Sequence, residues 1–220
     1  MIEKRSLQAG TIALGAGILG WTAAGGAPAP ETLGATCRTA LILSAVLLLA
    51  AWAMALVYPG PVAGTLKLAR TPRPLAAPQF ALGLAGFLAL SHVLGRLLSA
   101  PGIRPYGRSS QLEPLLADAS GTALVGTAFA LAVAPALAEE VLFRGLLLGR
   151  LCDRWGVPAG LLGSSALFAA MHPGWAEAAA TGLLGLCLGA VTLRTGSLYA
   201  ALLFHATNNL VFIYALSPGA

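Results

Sequence analysis

The segment ALVGTAFALAVAPALAEEVLFR (123–144) joins a long uncharged stretch to two adjacent glutamates. Its first part, 123–138, contains no charged side chain and suits the interior of a lipid bilayer. Glu139 and Glu140 follow directly, at or just inside the membrane edge, where an ionised carboxylate costs several kcal/mol. Ionisable groups in such positions usually have a function. We therefore expect an intramembrane reaction centre at this pair.

The composition excludes a soluble globular protein. Of the 220 residues, 57% are hydrophobic and only 10% are charged, whereas a soluble domain carries about 25% charged residues. A membrane-spanning helix takes about 20 residues, so the sequence predicts an all-α, polytopic transmembrane bundle of about seven helices. We expect one membrane domain over residues 1–220. The expected helices are 7–26, 39–58, 78–100, 121–138, 158–171, 175–193 and 197–216.

The net charge of +5 reflects membrane orientation better than nucleic-acid binding, because the basic residues are spread among loops and form no continuous basic face. For an N-terminus inside, eight basic loop residues lie inside and three outside, which favours this orientation. The inside residues are Lys4, Arg5, Lys67, Arg70, Arg73, Arg150, Arg154 and Arg194, and the outside residues are Arg38, Arg104 and Arg108. No nucleic-acid partner is expected.

His92 and Arg96 lie four residues apart near the end of the third expected helix, on one helix face. An arginine in this position can extend its side chain to the membrane interface. We interpret the pair as an interfacial anchor. The polar stretch 101–120 that follows is the longest candidate loop and can include a short interfacial helix.

The two adjacent glutamates point about 100° apart on a helix, so they are not expected to share one role. Glu140 and Arg144 have the i, i+4 spacing of a helical ion pair in the favourable acid-first order. Glu139 then faces the bundle interior, where it can act as a general base. Taken alone, the EExxxR pattern is equally typical of a solvated helix end with an ordinary ion pair.

Two further groups of polar residues interrupt apolar helices. His172 ends one such helix just before Pro173, and His205 and Asn209 share a face of the last helix. Individually, His172 fits an interfacial residue, and the His205–Asn209 pair fits hydrogen bonding between packed helices. The interpretation changes when these groups are taken together with the glutamates.

The ordered set of motifs resembles the CAAX-prenyl protease and bacteriocin-processing (CPBP, or Abi) family of intramembrane endopeptidases. The resemblance covers roughly residues 120–215, the expected catalytic core, and leaves the N-terminal half untested. The motifs are EExxxR (Glu139, Glu140, Arg144), FxxxH (Phe168, His172) and HxxxN (His205, Asn209).

The resemblance implies a role for each motif residue. Glu139 and His172 would activate the attacking water, and His205 and Asn209 would stabilise the oxyanion of the tetrahedral intermediate. The resemblance thus implies an endopeptidase that cleaves a membrane-anchored, lipidated or C-terminally hydrophobic polypeptide in the bilayer. The remaining motif residues, which would support the site structurally, are Glu140, Arg144 and Phe168.

A catalytic metal is the main mechanistic alternative. One glutamate and two histidines with a water also form a common zinc set, which here would be Glu139, His172 and His205. Asn209 is a poor zinc ligand and a good oxyanion donor, which favours a metal-free glutamic mechanism. We therefore expect no cofactor, with zinc as the alternative.

The expected location is a bacterial inner membrane, with the N-terminus inside. A non-enzymatic transporter or scaffold, in which the same polar residues line an ion path, is the competing interpretation. A transporter or scaffold does not explain why Asn209 lies one turn after His205 while Glu139 and His172 lie elsewhere in the sequence.

Overall fold

The computed structural model describes residues 32–56, 77–98, 109–117, 119, 121–172 and 175–216. In these ranges every regular element is helical and no strand occurs, so the predicted all-α class is confirmed. The elements are α1 (Leu33–Leu56), α2 (Ala77–Leu98), α3 (Ser109–Leu116), α4 (Gly121–Ala128), a first π-helical segment (Phe129–Val133), α5 (Ala134–Glu140), a second π-helical segment (Val141–Leu147), α6 (Leu148–Ala170), α7 (Trp175–Thr195) and α8 (Tyr199–Leu216).

Four helical stretches in the described ranges are long and apolar enough to cross a bilayer, which supports an integral membrane protein. They are Leu33–Leu56, Pro78–Leu97, Gly121–Ala170 and Trp175–Thr195. The expected first helix, 7–26, lies outside the described residues. The count of about seven helices therefore stays a prediction.

The helix that carries the glutamates does not end at 138, as the sequence predicted, but continues through them into α6. Pro135 has no N–H to donate to the preceding turn, and the backbone just before it widens into the first π-helical segment. There the Ala134 N–H bonds to the carbonyl of Phe129, five residues back. The predicted end at 138 is wrong because this local widening lets the helix pass the proline without breaking.

A turn at Gly156 divides the 50-residue helical stretch 121–170, which would otherwise be about 75 Å long, more than twice the thickness of a bilayer core. Gly156 has φ 83° and ψ 165°, a conformation that glycine adopts more readily than any other residue. Pro158 follows, at the start of the next helical arm, where its missing N–H is not needed. The arm 157–170 then packs back against the second π-helical segment.

Glycines on α7 let this helix lie close to the returning arm of α6, its most extensive packing partner. A Cβ on Gly182 would lie 3.4 Å from the Ala169 side chain, and a Cβ on Gly189 would lie 2.5 Å from Leu161. Small residues of this kind allow close helix packing in membranes. The small residues of GLLGLCLGA (182–190) therefore bring α7 close to α6.

Helices α2, α7 and α8 pack together through an apolar cluster that includes Phe87, Leu188 and Phe204. The rings of Phe80 and Phe204 meet edge to face with their centroids 5.1 Å apart. The outward faces of the helices carry exposed apolar side chains such as Leu82 and Leu162, as expected where lipid is the solvent. One side of this three-helix cluster opens into the cavity that contains the candidate site.

Candidate active site

Glu139 and Glu140, at the end of α5, lie in different environments although they are adjacent in sequence. The Glu140 side chain is completely buried, whereas 15% of the Glu139 side chain is exposed. The angle of about 100° between successive helical side chains explains the separation. Glu140 points into the protein between the helices, and Glu139 lines a cavity.

The buried carboxylate of Glu140 has two partners. Arg144 Nη1 donates to Glu140 Oε1 at 2.9 Å, and His205 Nδ1 lies 2.9 Å from the same oxygen. Because an ionised carboxylate only accepts hydrogen bonds, His205 Nδ1 is the donor. Arg144 Nη2 also donates to the carbonyl of Gly185 at 3.2 Å. These contacts join four elements: α5, the second π-helical segment, α7 and α8.

Phe168 fills the space beside this buried network. The Arg144 guanidinium carbon lies 4.4 Å from the centre of the Phe168 ring, within the range of a cation–π interaction. The same ring contacts the imidazoles of His172 and His205, with centroid distances of 5.0 and 5.8 Å. Phe168 therefore separates the two histidines and packs against the arginine.

His172 follows the end of α6, and its ring orientation is fixed by the backbone. His172 Nδ1 lies 3.0 Å from the carbonyl of Phe168. A carbonyl only accepts, so in the neutral ring Nδ1 carries the proton and Nε2 is the acceptor. His172 thus presents an unprotonated nitrogen.

One cavity of about 540 Å³ brings the sequence-predicted residues together. Its wall includes Glu139 from α5, His172 from the end of α6, and His205 and Asn209 from α8. His205 Nε2 lies 3.7 Å from Glu139 Oε2, too far for a direct hydrogen bond in this state. The structural residues Glu140 and Arg144 lie behind the wall, since neither is exposed by more than 1%.

Asn209 shares the wall with its neighbour Asn208. Asn208 Nδ2 donates to Asn209 Oδ1 at 3.5 Å, a long hydrogen bond. This contact engages the acceptor end of Asn209. Its own amide group remains the donor that Asn209 can offer to a ligand.

No group of three or more His, Cys, Asp or Glu side chains suited to holding a metal ion occurs in the part of the chain that the structure describes. Glu139, His172 and His205, the alternative zinc set, line the same cavity. Within this set, His205 Nε2 lies 3.7 Å from Glu139 Oε2.

Comparison with known proteins identifies the segment that carries these residues. Residues 121–211 match the family model described as type II CAAX prenyl endopeptidase Rce1-like. The match supports assignment of this segment, which is less than half of the chain, to the CAAX-type protease (CPBP) family. No curated protein and no solved structure gives a significant match to the chain.

The family match and the apolar helices together support a membrane-embedded hydrolase of the protease class. All the motif residues lie within the matched segment. Six other polar residues on the cavity wall were not expected to be there: Ser91, His92, Arg96, Glu177, Thr181 and Asn208. Glu177 lies in the first turn of α7 and is only 8% exposed.

No sequence pattern indicated Glu177 as a site residue, because a single acid at a helix start is typical of any helix. It did indicate that His92 and Arg96 share a helix face, but it placed that face at the membrane interface. The structure places both residues on the cavity wall. Both belong to α2, outside the segment that matches the CAAX-type protease family.

Proposed function

We propose that this CAAX-type protease hydrolyses a peptide bond of a membrane-anchored polypeptide, with Glu139 as the general base and without a catalytic metal. The observation that carries the proposal is the shared cavity. Glu139, His172, His205 and Asn209 line one space, while the adjacent Glu140 is buried behind it. A base, a second water ligand and two potential oxyanion donors can therefore contact one bound peptide group.

In the proposed first step, a water molecule lies between Glu139 and His172. His172 Nε2 accepts a hydrogen bond from this water, which the fixed Nδ1 contact of His172 supports. Glu139 takes a proton as the water oxygen attacks the peptide carbonyl carbon. The carbonyl oxygen becomes negatively charged, and Glu139 becomes a neutral carboxylic acid.

In the second step, Glu139 delivers its proton to the amide nitrogen as the carbon–nitrogen bond breaks. The products are a new carboxyl terminus and a free amine, and Glu139 returns to its ionised form. Atoms and charges balance with water as the sole co-reactant.

Asn209 and His205 would hold the oxyanion between these steps. Asn209 offers its amide group, and His205 offers Nε2, which must carry a proton to donate. Since His205 Nδ1–H is engaged by Glu140, the donating form of His205 is the imidazolium. Each oxyanion donor typically contributes about 3–4 kcal/mol to transition-state stabilisation.

We propose a metal-free mechanism because Asn209 is suited to donating hydrogen bonds and not to binding zinc. The alternative is a zinc ion held by Glu139, His172 and His205, which would polarise the carbonyl and activate the water. A chelator abolishes activity in that case, and added zinc restores it. In the metal-free case, purified protein cleaves its substrate without stoichiometric zinc.

The proposed substrate is a polypeptide held in the bilayer by a lipid group, a transmembrane segment or a hydrophobic C-terminal anchor. The membrane location of the chain and the opening of the cavity among apolar helices support this class. We propose a bacterial inner membrane, with the N-terminus inside, from the distribution of basic residues described above.

The experiment that tests this function uses purified protein in liposomes and a lipid-anchored peptide, with products identified by mass spectrometry. Glu139→Gln is expected to abolish cleavage, because it removes the base and keeps the size of the side chain. The matched control is Asp153→Asn, which removes an exposed carboxylate on α6 outside the cavity and is expected to leave cleavage unchanged. Cleavage by Glu139→Gln at the wild-type rate would disprove the role of Glu139.

A further inference from the structure

Two exposed arginines lie near the turns at one end of the helical bundle. Arg154 lies two residues before Gly156, where α6 folds back on itself, and Arg194 lies in the last turn of α7. Both side chains are exposed, and neither forms an ion pair with another residue that the structure describes. Their charges are therefore accessible to a ligand from outside the chain.

The packing of α7 against the returning arm of α6 places the two arginines at one level. These helices run in opposite directions, and Gly189 of α7 lies against Leu161 of the arm. Leu161 to Gly156 and Gly189 to Arg194 each span five residues, so Arg194 lies opposite Gly156. The axes of packed helices are about 8–10 Å apart. Because an arginine side chain is several ångströms long, Arg154 and Arg194 can contact a single ligand of headgroup size.

The surface beside these arginines changes from charged to apolar over a short distance. Trp155 is 61% exposed, and beyond the turn Val157 and Leu162 are 53% and 61% exposed. Tryptophan is enriched at membrane–water interfaces, where its amphipathic ring lies at the level of the headgroups. Leu162 lies about 7–8 Å further along the arm than Val157. This order of charged, aromatic and apolar side chains matches the headgroup, ester and acyl regions of a phospholipid.

The net charge at this end of the bundle is positive. The segments 148–160 and 190–200 contain three arginines, Arg150, Arg154 and Arg194, and one acid, Asp153. Arginine binds phosphate through paired hydrogen bonds from its planar guanidinium. The orientation proposed above places this end at the cytoplasmic surface, where anionic headgroups attract basic side chains. A negatively charged headgroup is therefore the ligand that this surface fits best.

We propose that Arg154 and Arg194 together bind the phosphate of one anionic phospholipid, whose acyl chains lie along Val157 and Leu162. The proposal is independent of the peptidase function. The apolar surface that continues directly from the arginines favours a lipid over a free phosphate ion. A headgroup held by both arginines also joins the Gly156 turn to the end of α7, so the bound lipid stabilises the contact between these two elements.

The first test measures the headgroup selectivity of this surface. In a protein that keeps Trp155 as its sole tryptophan, the other three being replaced by phenylalanine, a brominated phospholipid quenches the fluorescence of Trp155 when it binds beside it. The protein is placed in phosphatidylcholine vesicles that contain either brominated phosphatidylglycerol or brominated phosphatidylcholine. We expect phosphatidylglycerol to bind about five- to tenfold more tightly than phosphatidylcholine. Arg154→Gln combined with Arg194→Gln is expected to bring this ratio close to one.

Two further variants control for charge and position. Arg38→Gln removes an exposed arginine near the start of α1, which packs near Leu124 at the opposite end of the bundle, and is expected to leave the ratio unchanged. Asp153→Asn removes the negative charge beside Arg154 and is expected to raise the ratio, a direction that a merely disturbed fold does not produce. A wild-type ratio of one, or a preference that survives the loss of both arginines, would overturn the proposal.

A competition experiment separates a lipid site from a site for free anions. Inorganic phosphate is added at constant ionic strength to the vesicles that contain brominated phosphatidylglycerol. Because phosphate has no acyl chains, we expect it to leave the quenching of Trp155 unchanged, whereas unlabelled phosphatidylglycerol reverses the quenching. Reversal by inorganic phosphate would show a site for free anions and would overturn the lipid assignment.

Discussion

Glutamate occurs in two contrasting environments at the candidate site. Glu140 belongs to the buried network with Arg144 behind the cavity, and Glu139 belongs to the cavity wall in front of it. Glu140 is fully buried and bonds to Arg144 and His205, each at 2.9 Å. Glu139, one residue earlier, is 15% exposed, and its closest charged neighbour, His205 Nε2, is 3.7 Å away. A carboxylate held by two partners is suited to supporting structure, and one without close partners is suited to exchanging a proton. The difference shows that burial and partners, and not residue type, separate the two roles.

The largest expected effect distinguishes the two glutamates by stability. Glu140→Gln leaves the Arg144 guanidinium buried without a counter-ion and weakens the hydrogen bond from His205 Nδ1, because the remaining amide oxygen is uncharged. Breaking a buried ion pair from one side typically lowers the free energy of unfolding by about 3–5 kcal/mol. Glu139→Gln is expected to change it by less than about 1 kcal/mol. Unfolding in mixed detergent micelles, followed by circular dichroism, measures both values.

A double variant sharpens this test. Glu140→Gln combined with Arg144→Met removes both charges, and a buried ion pair replaced by uncharged groups of similar size is often tolerated. We expect the double variant to regain much of the stability that Glu140→Gln loses, without regaining activity, because His205 still has no carboxylate to orient it. Equal stability of Glu139→Gln and Glu140→Gln would contradict the division between network and wall.

The second expected effect concerns the wall alone. Asn209→Ala removes a proposed oxyanion donor and is expected to lower kcat by about 10²–10³ with little change in KM, because the donor acts mainly in the transition state. Asn208→Ala is the control, since Asn208 lines the same cavity and its side chain donates to Asn209 Oδ1. We expect it to lower kcat by less than about tenfold. Steady-state kinetics on one lipid-anchored peptide give both numbers, and equal losses in the two variants would argue against an oxyanion role for Asn209.

The sequence predicted contacts that depend on helical periodicity and missed those that depend on packing. The Glu140–Arg144 pair lies within one turn, so the i, i+4 rule is sufficient to find it. The contact of Glu140 with His205 joins residues 65 positions apart, and nothing in the local sequence indicates it. The family resemblance therefore implied oxyanion stabilisation for His205 but did not indicate its contact with Glu140.

The same distinction holds for the fold. Apolar composition predicted the all-α class and the approximate positions of α1, α2, α7 and α8. It did not predict that the helix continues beyond 138, because π-helical segments have no simple sequence period. It also missed the cavity position of Arg96, since the facing of α2 depends on its packing against α7 and α8.

A third, smaller effect tests how closely the buried network is packed. A Cβ on Gly185 would lie 3.2 Å from both Arg144 Nη2 and the Phe168 ring, so Gly185→Ala forces the network to shift. Overpacking of this kind typically lowers the free energy of unfolding by about 1–3 kcal/mol. Gly182→Ala is the matched control, because a Cβ there would meet only the Ala169 side chain, at 3.4 Å. Similar unfolding energies for the two variants would show that the α7 backbone does not restrict the network.

The smallest expected effect concerns the link between the returning arm of α6 and the second π-helical segment. Ser164 Oγ donates to the carbonyl of Phe143 at 3.2 Å, with both residues buried. This carbonyl also accepts the Leu148 N–H, so Ser164→Ala leaves it with a partner. We expect the free energy of unfolding to fall by only about 0.5–1.5 kcal/mol, and kcat/KM to change by less than about threefold, because no cavity-wall residue loses a hydrogen bond.

Ser165→Ala, at the adjacent buried serine, controls for the loss of a hydroxyl. A loss of activity in Ser164→Ala as large as that in Asn209→Ala would show that the wall depends on the π-helical geometry behind it, and the separation between supporting network and reacting wall would then have to be abandoned.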